Sequence, residues 1–199
     1  MSEQQPPGGY NRLTAMPGLA VNKVLMAAGL AFASFAAVES REFIPFEPHS
    51  ETKVERVDKF IAAEAFKLDR KIGTRTLNAV GLNFAEHFIR TVETDVPAAT
   101  IRGWTLTYTV GDNSLIKALG GEEKAVMSLA HIHRLMEMGE RGPSHVDTRS
   151  NFAYARSSLD NRLWAIHWST NFMDEISVGA VVVPHPDLDW KAGSRLFGG

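Results

Sequence analysis

The chain has 199 residues and a mass of 21.9 kDa, with 44% hydrophobic and 22% charged residues, which fits one folded domain and excludes a disordered or fibrous protein. Its 21 basic and 23 acidic side chains nearly cancel, so its overall charge does not draw it strongly to nucleic acid or to an anionic membrane. Since it has no cysteine, disulfide scaffolds, thiolate metal sites and cysteine nucleophiles are excluded.

The chain begins with a polar segment in which proline and glycine recur. These residues are Pro6, Pro7, Gly8, Gly9, Pro17 and Gly18. Proline removes a backbone donor and glycine weakens a helix, so the composition disfavours both a helix and an inner strand. We predict an extended arm at residues 1–18.

Residues 24–38 form an apolar run without a charged side chain, and small residues recur along it. The run predicts a helix that is buried on nearly all sides, within a domain or between subunits, because small side chains let neighbouring backbones approach closely. We expect self-association through Val24, Leu25, Ala28, Ala31, Phe32 and Phe35. The alternative is a membrane anchor at residues 19–38, since about 20 apolar residues span a bilayer.

Two amphipathic helices are predicted to follow. Thr52 and Glu55 fit a helix-capping box, and apolar side chains recur at helical spacing as far as Gly73. A similar spacing continues over residues 74–92. We therefore predict an antiparallel helix pair that is joined at Gly73.

Beyond Pro97 the pattern changes several times. Residues 104–110 alternate large apolar residues with threonine, which predicts a strand. A short helix is predicted at residues 114–119, and a longer one at residues 122–138, where acidic residues lie at the helix start. A further helix is predicted at residues 146–158.

The last third of the chain is less regular. Residues 162–168 fit either a strand or a helix, and we prefer the helix, whereas the β-branched residues 176–183 predict a strand. The proline-interrupted residues 184–199 predict a second extended arm. The predicted fold is mainly α: one helical domain at residues 19–183, with a small antiparallel element of two or three strands, between arms at residues 1–18 and 184–199.

Two histidines on the longer predicted helix are candidate metal ligands. His131 and His133 are two residues apart, so a helix turns them to opposite sides and they cannot hold one ion together. His133 and Glu137 do share a helix face, and a metal-binding enzyme could add Glu86 and His87. Because a lone His–Glu pair is more often solvated than ligating, no metal and no cofactor is predicted.

Arg149, Arg156 and Arg162 lie among aromatic residues. Such a mixture can contact phosphate and stack on bases. The near-neutral charge of the chain disfavours nucleic acid as a partner, so this contact is an alternative that we do not favour.

The sequence contains no phosphate-binding glycine loop, nucleophile elbow or zinc-protease motif, so the usual support for an enzyme is missing. We expect a non-enzymatic structural or assembly subunit, such as a coat, sheath or complex-assembly protein. It would self-associate through its arms and its apolar helix, in the cytoplasm or in an assembled particle. The alternatives are a membrane-anchored accessory subunit with residues 19–38 in the bilayer, and a His/Glu metal-binding enzyme.

Overall fold

The computed structural model describes residues 44–138, 150–171, 173–185 and 189–199. Strand accounts for 47% of the structure and helix for 22%. The prediction of a mainly α-helical domain is therefore wrong. In place of a small antiparallel element, the described residues contain one mixed sheet of eight strands, accompanied by two smaller strand pairs and five short helices.

The elements of the described residues are as follows, in chain order. The strands are β1 (Phe46–Val54), β2 (Val57–Ile61), β3 (Lys71–Ile72), β4 (Arg75–Val80), β5 (Val92–Val96), β6 (Ala99–Leu106), β7 (Val110–Gly111), β8 (Asn151–Arg156), β9 (Leu163–Thr170), β10 (Glu175–Val182), β11 (Asp189–Trp190) and β12 (Arg195–Gly198). The helices are α1 (Ala62–Ala65), α2 (Leu82–Phe88), α3 (Asp112–Ala118), α4 (Glu122–Ala125) and α5 (Leu129–Glu137).

The large sheet has the strand order β1-β6-β12-β8-β9-β10-β4-β3. Neighbouring strands are antiparallel except at two places, where β12 pairs with β8 and β10 pairs with β4 in parallel. The two smaller pairs are β2 with β5 and β7 with β11, both antiparallel. Strands that are distant in the chain therefore meet at the centre of the sheet.

The central strands are buried on both faces. In β8, Ala153 and Ala155 contribute to one apolar cluster, whereas Phe152 and Tyr154 contribute to another, because successive side chains of a strand point to opposite faces. We call these clusters the first core and the second core. The first core receives residues of α1, α2 and α5, and the second core receives residues of α3 and α4. The sheet thus separates two apolar layers.

The helix pair predicted at residues 52–92 is not formed. Thr52 lies in β1 opposite Ile101 of β6, and β2, the short helix α1 and β3 follow it. The second half divides into β4 and α2, which Gly81 separates. The apolar spacing was misleading because pairing with distant strands, which no local pattern reports, outweighs helix propensity here.

Two further predicted helices are strands. Residues 146–158 contain β8, and residues 162–168 lie within β9, so the preferred helix there is wrong and the alternative strand is correct. The two strands pair with Asn151 opposite Trp168. Since both faces of these strands are apolar, they lack the alternation of apolar and polar residues that identifies a half-buried strand.

The helix predicted at residues 122–138 is interrupted. α4 ends before Val126, which bridges to β8, and α5 begins after Ser128. Other local predictions fit better: the strand at residues 176–183 is β10, and the short helix at residues 114–119 overlaps α3.

The predicted strand at residues 104–110 and the predicted C-terminal arm need revision. The strand is β6, which begins at Ala99 and ends at Leu106, and β7 follows after a bend. Residues 184–199 contain β11 and β12, and β12 lies between β6 and β8 inside the large sheet. The prediction of an arm is therefore wrong for β12, which is part of the sheet although residues 184–199 are rich in proline and glycine.

Candidate functional site

A buried carboxylate at the start of α3 forms the candidate site. Asp112 follows the two-residue strand β7 and is only 3% exposed, beside the second core. Burial of a charged carboxylate is costly unless its oxygens accept hydrogen bonds or meet a cation. The contacts of Asp112 therefore show which groups compensate its buried negative charge.

The two oxygens of Asp112 have different surroundings. The Tyr154 hydroxyl donates to Oδ1 at 2.9 Å, and the Trp190 indole Nε1–H donates to the same oxygen at 2.8 Å. Among the described residues, Oδ2 has only a long contact, from the backbone N–H of His185 at 3.5 Å. One oxygen is thus held firmly by two neutral donors, and the other keeps capacity to accept a hydrogen bond.

The two donors are themselves fixed by packing. Trp190 stacks on Phe152 of β8, with ring centroids 3.8 Å apart and planes 2° from parallel. Its strand β11 pairs with β7, and Tyr154 is completely buried in β8. The carboxylate is therefore oriented by side chains of two different strands, β8 and β11, and both side chains are held in place by their packing.

The electrostatics keep Tyr154 neutral. Burial raises the pKa of Tyr154 far above its ordinary value, and the negative charge of Asp112 together with the hydrogen bond to it raises the pKa further. The phenol therefore remains a donor at any physiological pH. Among the described residues, no lysine or arginine forms an ion pair with Asp112.

A cavity of about 360 Å³ adjoins the carboxylate. It is lined by Gly111, Asp112, Asn113, Ser114, Pro184, His185 and Asp189. Among the described residues, two carboxylates but no lysine or arginine belong to this lining, so the cavity is suited to a positively charged group. The same residues contain no group of three or more His, Asp or Glu side chains that could hold a metal ion.

The histidines and acids considered from the sequence lie elsewhere. His133 Nδ1 is 3.6 Å from Glu137 Oε1, and the imidazole is buried against Phe60 and Phe66. His131 instead contacts the connection between β5 and β6, with Nε2 2.9 Å from the carbonyl oxygen of Pro97. The two rings therefore meet separate neighbours.

Glu86 and His87 lie on α2, and within the described chain they form no metal cluster with His133 and Glu137. Glu86 is exposed. His87 instead contacts the turn between β8 and β9, as described below. The metal-binding alternative thus finds no ligand set in the residues that the structure describes.

Of the arginines considered for nucleic acid, Arg156 donates to Glu122 Oε2 at 2.7 Å and to the carbonyl oxygen of Asn161 at 3.2 Å. Arg162 is exposed, with its Nε 3.9 Å from Asp160 Oδ2. Arg149 lies outside the described residues. Nucleic-acid contact stays a prediction, and Arg156 would have to leave an acidic partner to take part.

The predicted self-association residues and the predicted N-terminal arm also lie outside the described residues, as do residues 19–38. The self-association residues are Val24, Leu25, Ala28, Ala31, Phe32 and Phe35. In the part of the chain that the structure describes, no helix is both long enough and apolar enough to cross a membrane. No family model, curated protein or solved structure matches the chain.

The sequence did not reveal the buried carboxylate. Tyr154 and Trp190 follow Asp112 by 42 and 78 residues, so no local motif connects them. The only local signal is the Gly111–Asp112 pair before a helix, which reads as an ordinary turn and helix start. Only the sheet brings the two aromatic donors to this position.

Proposed function

We propose that the chain binds a small organic cation, carrying an ammonium or guanidinium group, in the cavity beside Asp112. The observation that carries the proposal is that Asp112 is buried, has no cationic partner among the described residues, and lines a cavity. Buried charges in proteins are normally paired, and a cation in the cavity would provide the missing partner.

The hydrogen bonds of Asp112 support the same proposal. Tyr154 and Trp190 hold Oδ1 and so fix the orientation of the carboxylate, which leaves Oδ2 to accept from a ligand. Asp189, also in the lining, adds a second negative charge. A planar guanidinium group or an ammonium group has several N–H donors, and it can satisfy acceptors on more than one side.

Agmatine, which carries both groups, is the probe for the test. We expect agmatine to change the tryptophan fluorescence, because the Trp190 indole donates to the same Asp112 carboxylate that the ligand would contact. Agmatine should also raise the melting temperature. Asp112→Asn keeps the shape and removes the charge, and should weaken agmatine binding at least about tenfold by calorimetry. Asp58→Asn, at an exposed position, is the matched control and should leave binding unchanged.

A purely structural role for Asp112 predicts a different result. Tyr154→Phe and Asp112→Asn would then lower the free energy of unfolding by about 1–3 kcal/mol, since each leaves a buried polar group with fewer partners, but no cation would bind. Absence of agmatine binding to the unmodified chain, or equal binding by Asp112→Asn, contradicts the proposal.

We also propose that the chain acts as an assembly subunit. Leu82, on the first turn of α2, is 88% exposed, and Leu159 and Met173 are 64% and 61% exposed. The apolar run at residues 24–38 supports contacts between copies, and these exposed side chains would add apolar area to such contacts. Light scattering after size exclusion tests this: we expect a mass well above 21.9 kDa, and a monomer in dilute buffer contradicts it.

The membrane-anchored alternative is separated from the assembly role by fractionation. Recovery of the full chain in the soluble fraction without detergent contradicts an anchor at residues 19–38. Extraction only with detergent supports it, because an apolar helix of that length partitions into the bilayer.

A further inference from the structure

Two side chains of the turn between β8 and β9 lie close to the Nδ1 atom of the His87 imidazole. His87 Nδ1 lies 3.3 Å from Ser157 Oγ and 3.8 Å from Asp160 Oδ2. Ser157 is 2% exposed, and the imidazole packs against Trp164 in a tilted arrangement, with ring centroids 4.1 Å apart and planes 36° apart. The ring is therefore fixed both in position and in rotation.

These contacts determine which ring nitrogen carries the proton. Ser157 Oγ already accepts from the backbone N–H of Leu159 at 3.1 Å, and its hydroxyl proton has two oxygen acceptors, the carbonyl oxygen of His87 at 3.4 Å and the Asp160 carboxylate. Since the hydroxyl donates to one of these oxygens, it accepts from Nδ1–H of His87. The neutral imidazole is then protonated at Nδ1 and has its lone pair on Nε2.

Asp160 is kept in its charged form. Burial raises the pKa of Asp160, but hydrogen bonds from the backbone N–H of Arg162 and from the Ser157 hydroxyl, with the positive charge of Arg162, lower it more. The net pKa lies below the ordinary value for aspartate. The Asp160 carboxylate is therefore negatively charged at neutral pH, next to Ser157 and His87.

A cavity of about 500 Å³ lies on this side of α2. His87 lines it together with Ala85, Glu86, Ile89, Arg90, Ser158 and Leu159. Arg90 lies two residues beyond the end of α2 and lines the same cavity as His87. Arg90 is exposed and forms no ion pair within the described residues, and the same residues provide no hydrogen bond to His87 Nε2.

We propose that this cavity is a second ligand site, which takes a small 2-hydroxycarboxylate. Arg90 pairs with the carboxylate, His87 Nε2 accepts a hydrogen bond from the neighbouring hydroxyl, and Ile89 and Leu159 contact an apolar substituent. Glu86 at the rim disfavours a second negative charge on the ligand, which selects a monoanion. The site is independent of the Asp112 cavity, and it takes a ligand of opposite charge.

The first test compares mandelate with phenylacetate, which has the same ring and carboxylate but lacks the hydroxyl. Nitrogen-detected NMR of the histidine rings should show His87 as the Nδ1–H tautomer, and mandelate should shift its Nε2 resonance. Because one hydrogen bond is lost, phenylacetate should bind about fivefold more weakly than mandelate. Equal affinity of the two ligands, or no binding of either at tens of millimolar, overturns the proposal.

The second test uses Arg90→Gln, which is at an exposed position and should fold normally. Mandelate binding should weaken at least about tenfold in this variant, since a charge-assisted pair is removed. Arg102→Gln, an exposed arginine near Glu51 on the opposite part of the sheet, is the matched control and should bind as the unmodified chain does. An equal effect of both substitutions overturns the proposal.

The third test addresses the positioning of His87. Ser157→Ala removes the acceptor of Nδ1–H, so His87 should shift toward the Nε2–H tautomer, and the preference for mandelate over phenylacetate should disappear. If the tautomer and the preference both survive in Ser157→Ala, the proposed positioning is wrong.

Discussion

Gly179 is a position where a side chain has no room. It lies opposite His167 in the β9–β10 pair. A Cβ atom at this position would be 2.5 Å from His167 Nε2 and 2.7 Å from Cε1. The imidazole, whose pKa is lowered by burial, therefore lies across the backbone of β10 and depends on the absence of a side chain there.

Substitution Gly179→Ala should therefore lower the free energy of unfolding by about 1–2 kcal/mol, because the half-buried ring of His167 must move to admit a methyl group. Urea unfolding measures the loss. In a His167→Ala background the same substitution should cost much less, since the ring is absent. An equal cost in both backgrounds would show that the contact with His167 is not responsible.

At the scale of elements, α5 is capped by a side chain from another strand. Glu93 of β5 accepts from the backbone N–H groups of Leu129 and Ala130 at 2.9 and 2.8 Å. Ser128 Oγ accepts from the N–H of His131 at 3.2 Å. Three of the free N–H groups at the helix start are thus satisfied, and Glu93 also places a negative charge near the positive end of the helix.

Removing this cap with Glu93→Ala should destabilise the chain by about 1–2 kcal/mol, because two backbone donors lose a charged acceptor. Chemical denaturation measures the change. Glu55→Ala, at an exposed glutamate, is the matched control and should change stability by less than about 0.5 kcal/mol. Similar losses for the two variants would contradict the capping role.

The same helix contains a buried histidine. His133 is 5% exposed, between Phe60 and Phe66. Burial lowers its pKa below the ordinary value of 6.5; the charge of Glu137 opposes this effect, and Arg70 and Arg134 add to it. The unfolded chain therefore takes up a proton at this residue at a higher pH than the folded chain does.

This difference makes stability fall as the pH falls from about 6.5 toward the lower pKa of the folded state, because the unfolded state binds the extra proton. We expect the free energy of unfolding to be smaller at pH 5.5 than at pH 7.5. His133→Leu should reduce that dependence, and NMR titration should place the midpoint of His133 below 6.5. The pKa values of His49 and His167 are also lowered, so both residues contribute to the same pH dependence. The difference between the unmodified chain and His133→Leu therefore gives the contribution of His133 alone. An unchanged dependence in the variant would contradict this assignment.

At the scale of the whole molecule, the C-terminal strand completes the large sheet. β12 pairs antiparallel with β6 and parallel with β8, and its Leu196 and Phe197 are completely buried. Leu196 belongs to the second core and Phe197 to the first. One short strand thus joins two parts of the sheet and both apolar layers.

A chain that ends at residue 194 should therefore fail to fold. Loss of one buried leucine and one buried phenylalanine costs about 5–10 kcal/mol, which is comparable to the total stability of a typical domain. Circular dichroism and proton NMR would show the loss of cooperative structure. Removal of Gly199 alone is the control and should leave both spectra intact. A folded chain without residues 195–199 would contradict the role of β12.

The sequence predicts an element correctly where the local pattern of residue types agrees with the burial that the fold imposes on it. The β-branched strand β10 and the helix predicted at residues 114–119, which overlaps α3, are of this kind. β8 is not, because its sequence, Asn-Phe-Ala-Tyr-Ala-Arg, places apolar side chains on both faces and contains good helix formers. The candidate site was missed for the same reason, since Tyr154 was read as part of a helix.

Composition alone determined that the chain folds, that it has no thiol chemistry and that it carries no strong net charge. Tertiary structure decided that the fold is a mixed sheet, that the chain end belongs to its interior, and that Asp112 and His87 each meet partners from distant strands. The physical reason is that hydrogen bonds between strands join residues far apart in the chain, whereas propensity and periodicity report only on neighbours within a few residues.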